Sequence, residues 1–428
     1  MSDSGLIRFA GDVSIENVSV VTSKGMIQNV TNQTLAIDIY EDLFSPFMTG
    51  TITVKDSLDF VNLFPFVGEE YLNLKVYTPS FEEKNYISQQ FYIFKVSDRI
   101  VLGDRTVVYN LHFISKEAIA DVNKSVSKGY KGLISDIAKQ IITDKEYGLE
   151  SPKTVNAEVT ANTTRFVSNF WSPIKNLNFI TENAVSPSGA ANYLFFENRS
   201  GFNFVSMDSL YAQDPYVEFV YDNYSRDIQA DGRSIFNLNE DYKRITELNV
   251  PVVQDYMERI RTGSYASKII SYDTLTKKYY SKNYDMIADF SNNKHLNVNA
   301  TTTKTGIRNP NALVINYPKY NNVFNDYGDV SNVKTLQKRI SQLNQADTTK
   351  IEVTVLGRTD YTVGLKVYVK LNKVEPIEKE AVDSDITDKI LSGYYIISAI
   401  NHHINRDKHE CTMELIKDSF MMNLDEAK

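Results

Sequence analysis

The tetrapeptide Leu74-Lys75-Val76-Tyr77 recurs as Leu365-Lys366-Val367-Tyr368, and each copy is preceded by a Val-Gly pair, Val67-Gly68 and Val363-Gly364. Upstream, Thr51-Ile52-Thr53-Val54 leads into the first copy and Val353-Thr354-Val355 into the second. Downstream, each copy ends in a hairpin. The closing strands Leu111-His-Phe-Ile-Ser-Lys-Glu117 and Met413-Glu-Leu-Ile-Lys-Asp-Ser419 both run from an apolar alternation into a charged, Ser-containing step. A period of two gives a strand one core face and one other face, so the repeated stretch reads as a β-unit present twice. Unrelated Val/Leu-rich strands would look similar and the spacing differs between copies, which leaves duplication and coincidence both open.

Around the first copy the same period recurs at Leu35/Ile37/Ile39, Ile52/Val54, Leu72/Leu74/Val76 and Val107/Tyr109/Leu111/Phe113. Phe91 to Val96 is apolar on both faces and should pair antiparallel with residues 105–114. Residues 1–115 therefore read as a β-barrel or sandwich. From 116 to 235 the pattern is α+β. Leu133, Ile134, Ile137, Ala138 and Ile141 form one stripe of a helix, and Ser172-Pro173 is an N-cap followed by a first-turn proline. Tyr193–Glu197 and Phe202–Ser206 then read as a hairpin about Asn198–Gly201. From 236 to 420 a strand is expected at Tyr265–Tyr272, and a helix with the stripe Val333, Leu336, Ile340 and Leu343. Alternating strands follow at 351–355 and 365–371, and a last hairpin pairs 394–400 with 411–416. Residues 421–428 are read as a tail.

At 428 residues, with about 150 per domain, roughly three domains are expected. The single cysteine, Cys411, excludes an intrachain disulfide and a Cys-rich zinc site. A net charge of −8 has the wrong sign for a broad phosphate-gripping face. The 27 Tyr and 22 Phe favour β-structure. The N-terminus lacks a basic start followed by an apolar run, and nothing approaches the ~18 apolar residues of a membrane helix, so no membrane span is expected.

There is no Gly-x-Ser-x-Gly elbow, phosphate-binding Gly-x-x-x-x-Gly-Lys-Ser/Thr loop or Gly-x-Gly-x-x-Gly. His409-Glu-Cys-Thr-Met413 begins like a zincin motif but has Met in place of the second His, and it falls on an expected strand. His402, His403, His409 and Cys411 gather across the last hairpin, yet His402 and His403 are consecutive and should face opposite ways, leaving too few ligands to converge. Glu69-Glu70 and Glu82-Glu83 diverge for the same reason and read as loop-edge charges. Trp171 is either an interface anchor or a core residue. No catalytic, cofactor or metal site is assigned.

Ile39-Tyr-Glu-Asp-Leu-Phe-Ser-Pro-Phe-Met-Thr-Gly50 with Thr-Ile-Thr-Val-Lys-Asp56 resembles the T4-type baseplate central hub subunit of contractile-tailed bacteriophages. Phe166-Val-Ser-Asn-Phe-Trp-Ser-Pro173, Tyr193–Phe204, Gly393–His402 and Cys411–Ser419 are similar to that family's signatures in the same order. The resemblance spans nearly the whole chain, although each motif is a fold signature and none is catalytic.

The resemblance implies an α+β, mainly β chain with two tail-tube-like antiparallel β-barrels and an inserted α+β region, assembled as a homotrimer. Three chains would then present six similar units to a sixfold tail tube at one end and a threefold central spike at the other. Implied partners are the spike, tail-tube or tube-initiator proteins, the tape measure and baseplate wedge proteins. Genome DNA would pass through without specific binding, in a virion assembled in the host bacterial cytoplasm. A lumen without a basic wall would not hold DNA by counterion release. Thr51, Thr53, Asn73 and Lys75, on the polar faces of the first β-unit, are the candidate lumen residues. The competing readings are a glycan-binding adhesin or tail β-module and a tail-associated cell-wall hydrolase, which would need a convergent carboxylate pair. A fused hub-spike protein of type VI secretion would need a repetitive β-helical needle, and none precedes Lys428.

Overall fold

The computed structural model describes residues 9–57, 66, 68–103, 105–221, 238–273, 277–319, 333, 335–373 and 387–426. Val67, of the first Val-Gly pair, lies outside the described residues.

The first β-unit forms β1 (Ser14–Val21), β2 (Ile27–Asn29), β3 (Thr34–Asp42), β4 (Thr49–Asp56), β5 (Tyr71–Tyr77), β6 (Ile87–Val101) and β7 (Val107–Ser115). Their spatial order is β3-β4-β7-β6-β5-β1-β2, antiparallel throughout. The expected pairing of 91–96 with 105–114 is the β6–β7 ladder. Alternation buries Ile37, Ile39, Ile52, Val54, Leu72, Leu74, Val76, Leu111 and Phe113 in one core. Leu35 departs from the expected stripe: the register of β3 on β4 shifts between Thr34 and Ala36, which turns Leu35 outward.

The middle region begins with α1 (Lys116–Val122), β8 (Gly129–Leu133), α2 (Ile134–Thr143), β9 (Val155–Ala157) and β10 (Thr163–Val167). It continues with α3 (Pro173–Asn183), β11 (Tyr193–Asn198), β12 (Gly201–Ser206) and α4 (Met207–Tyr211). The Ser172 hydroxyl accepts from Lys175 N–H and caps α3, as its Ser-Pro start predicts. The β11–β12 hairpin forms in the expected register and is buried on both faces. Tyr193, Phe195, Phe202 and Phe204 face the helices, and Leu194, Phe196 and Val205 face the second barrel core. Gly201 has φ +128°, and a Cβ there would lie 2.3 Å from the Thr154 carbonyl. Only glycine lets β9 approach that turn. Trp171 packs beside Phe179 at 5.4 Å within this region.

The remaining elements are β13 (Glu218–Tyr221), α5 (Leu238–Lys243), β14 (Ile245–Val252), α6 (Tyr256–Arg261), β15 (Ala266–Asp273), β16 (Tyr279–Asp285) and α7 (Met286–Asp289). They end with β17 (Val314–Lys319), α8 (Leu336–Ala346), β18 (Thr349–Leu356), β19 (Lys366–Leu371), β20 (Gly393–Asn405) and β21 (His409–Lys417). Six of the strands lie in the order β14-β18-β21-β20-β19-β13. This repeats the order β3-β4-β7-β6-β5-β1 in space and along the chain, except that β13 runs parallel to β19 where β1 runs antiparallel to β5, and β15–β17 and α8 are inserted between β14 and β18. The sequence echo is therefore a duplication: β4 matches β18, β5 matches β19, and β6–β7 matches β20–β21. Gly68 and Gly364, which precede β5 and β19, share left-handed φ values of +90° and +85°. The second set encloses its own core, which includes Val353, Val367, Tyr395, Ile397 and Met413. The chain is α+β and mainly β.

The helix over 336–346 forms, with Val333 of the expected stripe buried and Leu343 packed against the second core, but its polar side is the more buried. Gln337, Ser341 and Gln345 are buried while Leu336, Ile340 and Leu343 are only half-buried. Gln337 donates to the Ser267 and Lys282 carbonyls, and Ser341 and Gln345 donate to that of Ser264. These buried carbonyls beside β15 need donors, and that need outweighs burying the leucines.

Candidate functional site

The two β-units are joined through β20. Along one edge it carries two strands in succession, β19 at Gly393–Ile396 and β3 at Ala399–Asn405, while β21 covers the other edge. At this seam β19 and β13 turn away to close the second barrel-like half, and β3 carries the sheet onward into the first. An eight-strand band results, β14-β18-β21-β20-β3-β4-β7-β6, with a core behind each half.

The band's other face is polar. Cross-strand neighbours share a face, so the pairs Glu410–His403, His403–Asp38, Asp38–Thr51 and Thr51–His112 trace one row across five strands. His403 Nδ1 lies 2.8 Å from Asp38 and Thr51 bonds His112 Nδ1 at 3.1 Å. Thr53 donates to Asn110 at 2.9 Å. Two cations on this side are already paired, Lys350 with Glu414 at 2.8 Å and Lys408 with Glu410. Thr51 and Thr53 thus lie on the band. Asn73 and Lys75 lie on β5, in the wall that turns off β6, where Lys75 pairs with Glu16 at 3.1 Å and Asn73 bonds Gln90.

The duplication makes the band's ends informative. β6 corresponds to β20 and β14 to β3. β5 pairs with β6 only along Ile87–Tyr92, so from Phe94 to Val101 that edge has no strand partner among the described residues. β14 is paired with β18 on one edge, and beyond the Val220–Arg244 bridge at its start the other edge is likewise unpaired among them. This stretch of β6 exposes Phe94 at 53%, Ile100 at 56% and Val101 at 68%, interspersed with Lys95, Asp98 and Arg99. An unpaired edge with exposed apolar side chains is a template for another strand.

Within the chain the seam is locked by buried polar groups. Glu41 on β3 accepts from Thr362, from Val363 N–H at 3.1 Å and from Arg199 N–H at 3.1 Å, tying both halves to the middle region. Burial, only partly offset by those donors and Arg199, pushes its carboxyl up to about 7. Lys153 bridges buried Glu117 (2.9 Å) and Glu197, and Glu197 accepts from Met48 N–H at 3.0 Å.

His402 and His403 do face opposite sides of β20, but His409 and Cys411 lie on His402's side. Three ligand atoms therefore converge, against the expectation of too few. His402 Nδ1, His409 Nε2 and Cys411 Sγ stand 3.1, 3.3 and 3.4 Å apart, all buried where the two cores meet. Burial and the Arg199 charge pull His402 down to about 4; burial and the neighbouring histidines pull His409 well down. Both shifts favour the neutral imidazole. Sequence spacing alone could suggest this trio, since strand residues two apart share a face, but only the β20–β21 register sets His402 opposite Cys411. Of the acidic pairs, Glu70 accepts from Gly68 and Glu69 N–H in a turn, and Glu82 pairs with Lys84.

No protein-family model matches the chain, and no curated protein does. Among solved structures, the tail protein from Neisseria meningitidis MC58 aligns over 94% of this chain and 96% of its own, with a TM-score of 0.55 at 11% identity. The prophage MuSo2 43 kDa tail protein from Shewanella oneidensis aligns over 94% and 99%, with a TM-score of 0.55 at 10% identity. The chain shares the fold of these tail proteins. Among the described residues no helix is long and apolar enough to cross a membrane.

Proposed function

We propose that this chain is the structural hub subunit of a contractile phage-tail baseplate, three copies of which close into a ring around the DNA channel. The observation that carries this reading is the seam. Inside the chain the outer half of β20 pairs with β3, and their counterparts in the duplication, the outer half of β6 and the edge of β14, have no strand partner among the described residues. Pairing β6 of one copy with β14 of the next repeats the internal junction between chains. Three copies then give six junctions of one kind and six barrel-like halves, a match to a sixfold tube from a threefold assembly. The shared fold with tail proteins supports the tail setting, and hence a place in the virion.

In this reading residues 1–115 form the first tube-like barrel and 116–235 the peripheral region that ties subunits together. Residues 236–420 form the second barrel, to which β13 is lent from the middle region. The polar face of the band lines the channel, with Thr51 and Thr53 on the wall and Lys350 and Lys408 paired with acidic neighbours. One end of the ring seats the central spike and the other a tail-tube or tube-initiator protein, with the tape measure and wedge proteins as neighbours.

The test is the mass of the purified full-length chain at micromolar concentration, followed by cryo-electron microscopy. A particle three times the 48.8 kDa chain mass, with a threefold outline and sixfold-like inner density, is expected. Each interface should exceed ~2,000 Å². A monomer under these conditions, or a ring whose inner wall is not the band, overturns the proposal.

A further inference from the structure

The buried trio at the meeting of the two cores has no part in ring assembly, and hydrogen bonding accounts for it poorly. A neutral imidazole nitrogen either donates or accepts. If His402 Nδ1–H points at His409 Nε2, the single lone pair of that acceptor is used, and the Cys411 thiol must compete for it or turn to a nitrogen that is itself a donor. Two of the three contacts can be hydrogen bonds, and the third is left without one. His409 Nδ1, on the far side of the ring, is buried with no hydrogen-bond partner among the described residues either. The ring is nonetheless held firmly: a Cβ at Gly357 would fall 2.3 Å from it, so imidazole and backbone lie flush.

A metal ion at the centre uses all three lone pairs at once. With bonds of ~2.05 Å to nitrogen and ~2.3 Å to sulfur at a tetrahedral angle, ligand atoms stand about 3.3 Å apart between nitrogens and about 3.6 Å from nitrogen to sulfur. The observed 3.1, 3.3 and 3.4 Å differ by only a few tenths of an ångström. Two ligands come from β21 and one from β20, across a register that the hairpin already fixes. We propose that His402 Nδ1, His409 Nε2 and Cys411 Sγ form a structural site for a soft or borderline d10 cation, zinc(II) or copper(I), captured as the last hairpin folds. Binding displaces the thiol proton to solvent and changes no oxidation state. One thiolate and two neutral imidazoles carry a single negative charge, which neutralises copper(I) fully. Zinc(II) would keep one positive charge, next to the buried Glu41 and the Arg358–Asp360 ion pair, so the single negative charge of the trio matches copper(I) better. Because the trio is fully buried, the ion enters during folding and not by diffusion into the finished barrel.

The test is the metal content of the full-length protein made in medium supplemented with zinc, copper or cobalt and washed with a chelator. About one ion per chain is expected, the zinc and copper cultures deciding between the two ions. Cobalt-loaded protein should show a thiolate-to-cobalt charge-transfer band that Cys411→Ser abolishes. If that variant does not fold, X-ray absorption of the wild-type protein carries the test, with two nitrogens and one sulfur expected around the ion. Folded wild-type protein holding less than about a tenth of an ion per chain in every medium, or an ion without a sulfur neighbour, overturns the proposal.

Discussion

Lys153 stands between two fully buried carboxylates, Glu117 and Glu197. Burial alone pulls its ammonium down, but the two acids outweigh this and leave its pKa raised; burial, against the pull of Lys153, leaves Glu197 raised as well. Replacing the lysine leaves two uncompensated acids in a low dielectric. Lys153→Met should cost about 3–5 kcal/mol in denaturant unfolding, whereas loss of an exposed pair such as Lys84–Glu82 should cost under about 1 kcal/mol. Glu41 makes a different prediction. Its folded pKa, about 7, lies above the ordinary value of 4.5, so the stability it contributes is fully present below pH 4.5 and is lost as pH rises through 7. The melting temperature should fall across that window in the wild type, and Glu41→Gln should flatten this part of the profile. An unchanged slope in the variant would refute this role for Glu41. Neither network can be read from sequence, because Glu41 meets Thr362 and Lys153 meets Glu117 only after distant segments pack.

At the scale of elements, the strands were legible because alternation is a local property. Pairing partners were legible only where a short turn dictates them, as in β6–β7, β11–β12 and β20–β21. The α8 helix shows the limit: its apolar stripe marks it as a helix, yet its most buried face is the one whose Gln337 and Ser341 donate to carbonyls of and beside β15. The outer half of β6 is the element on which assembly depends. Phe94→Lys with Ile100→Lys places charges on this edge without entering either core, since both side chains are more than half exposed. The double variant should keep the wild-type circular dichroism and unfolding midpoint of the monomer and fail to form the ring in analytical ultracentrifugation. A variant that assembles normally would remove β6 from the interface.

At the scale of the whole molecule, the band's polar face carries charges of both signs, Lys55 and Lys95 among them, in a chain whose net charge is −8. Asp38, Glu352, Glu410 and Glu414 lie on its polar strands, and Lys350 and Lys408 are held by two of them. Duplex DNA should therefore show no binding to the assembled protein at ~0.15 M salt, and Asp38→Lys with Glu352→Lys should create binding that weakens steeply as salt rises. Retention of DNA by the wild-type ring would contradict a non-stick channel. The sequence by itself determined the β-rich character, the helix-capping signals at Ser172-Pro173, the turn hairpins and the faint repeat, since each rests on residues a few positions apart. Only the tertiary structure decided that the repeat is a true duplication, because matched strand order is a relation among segments separated by some 300 residues. It also decided that β20 is shared by both halves and that His402 faces Cys411. Each of these depends on long-range register, and in a sheet a shift of one residue reverses every side chain.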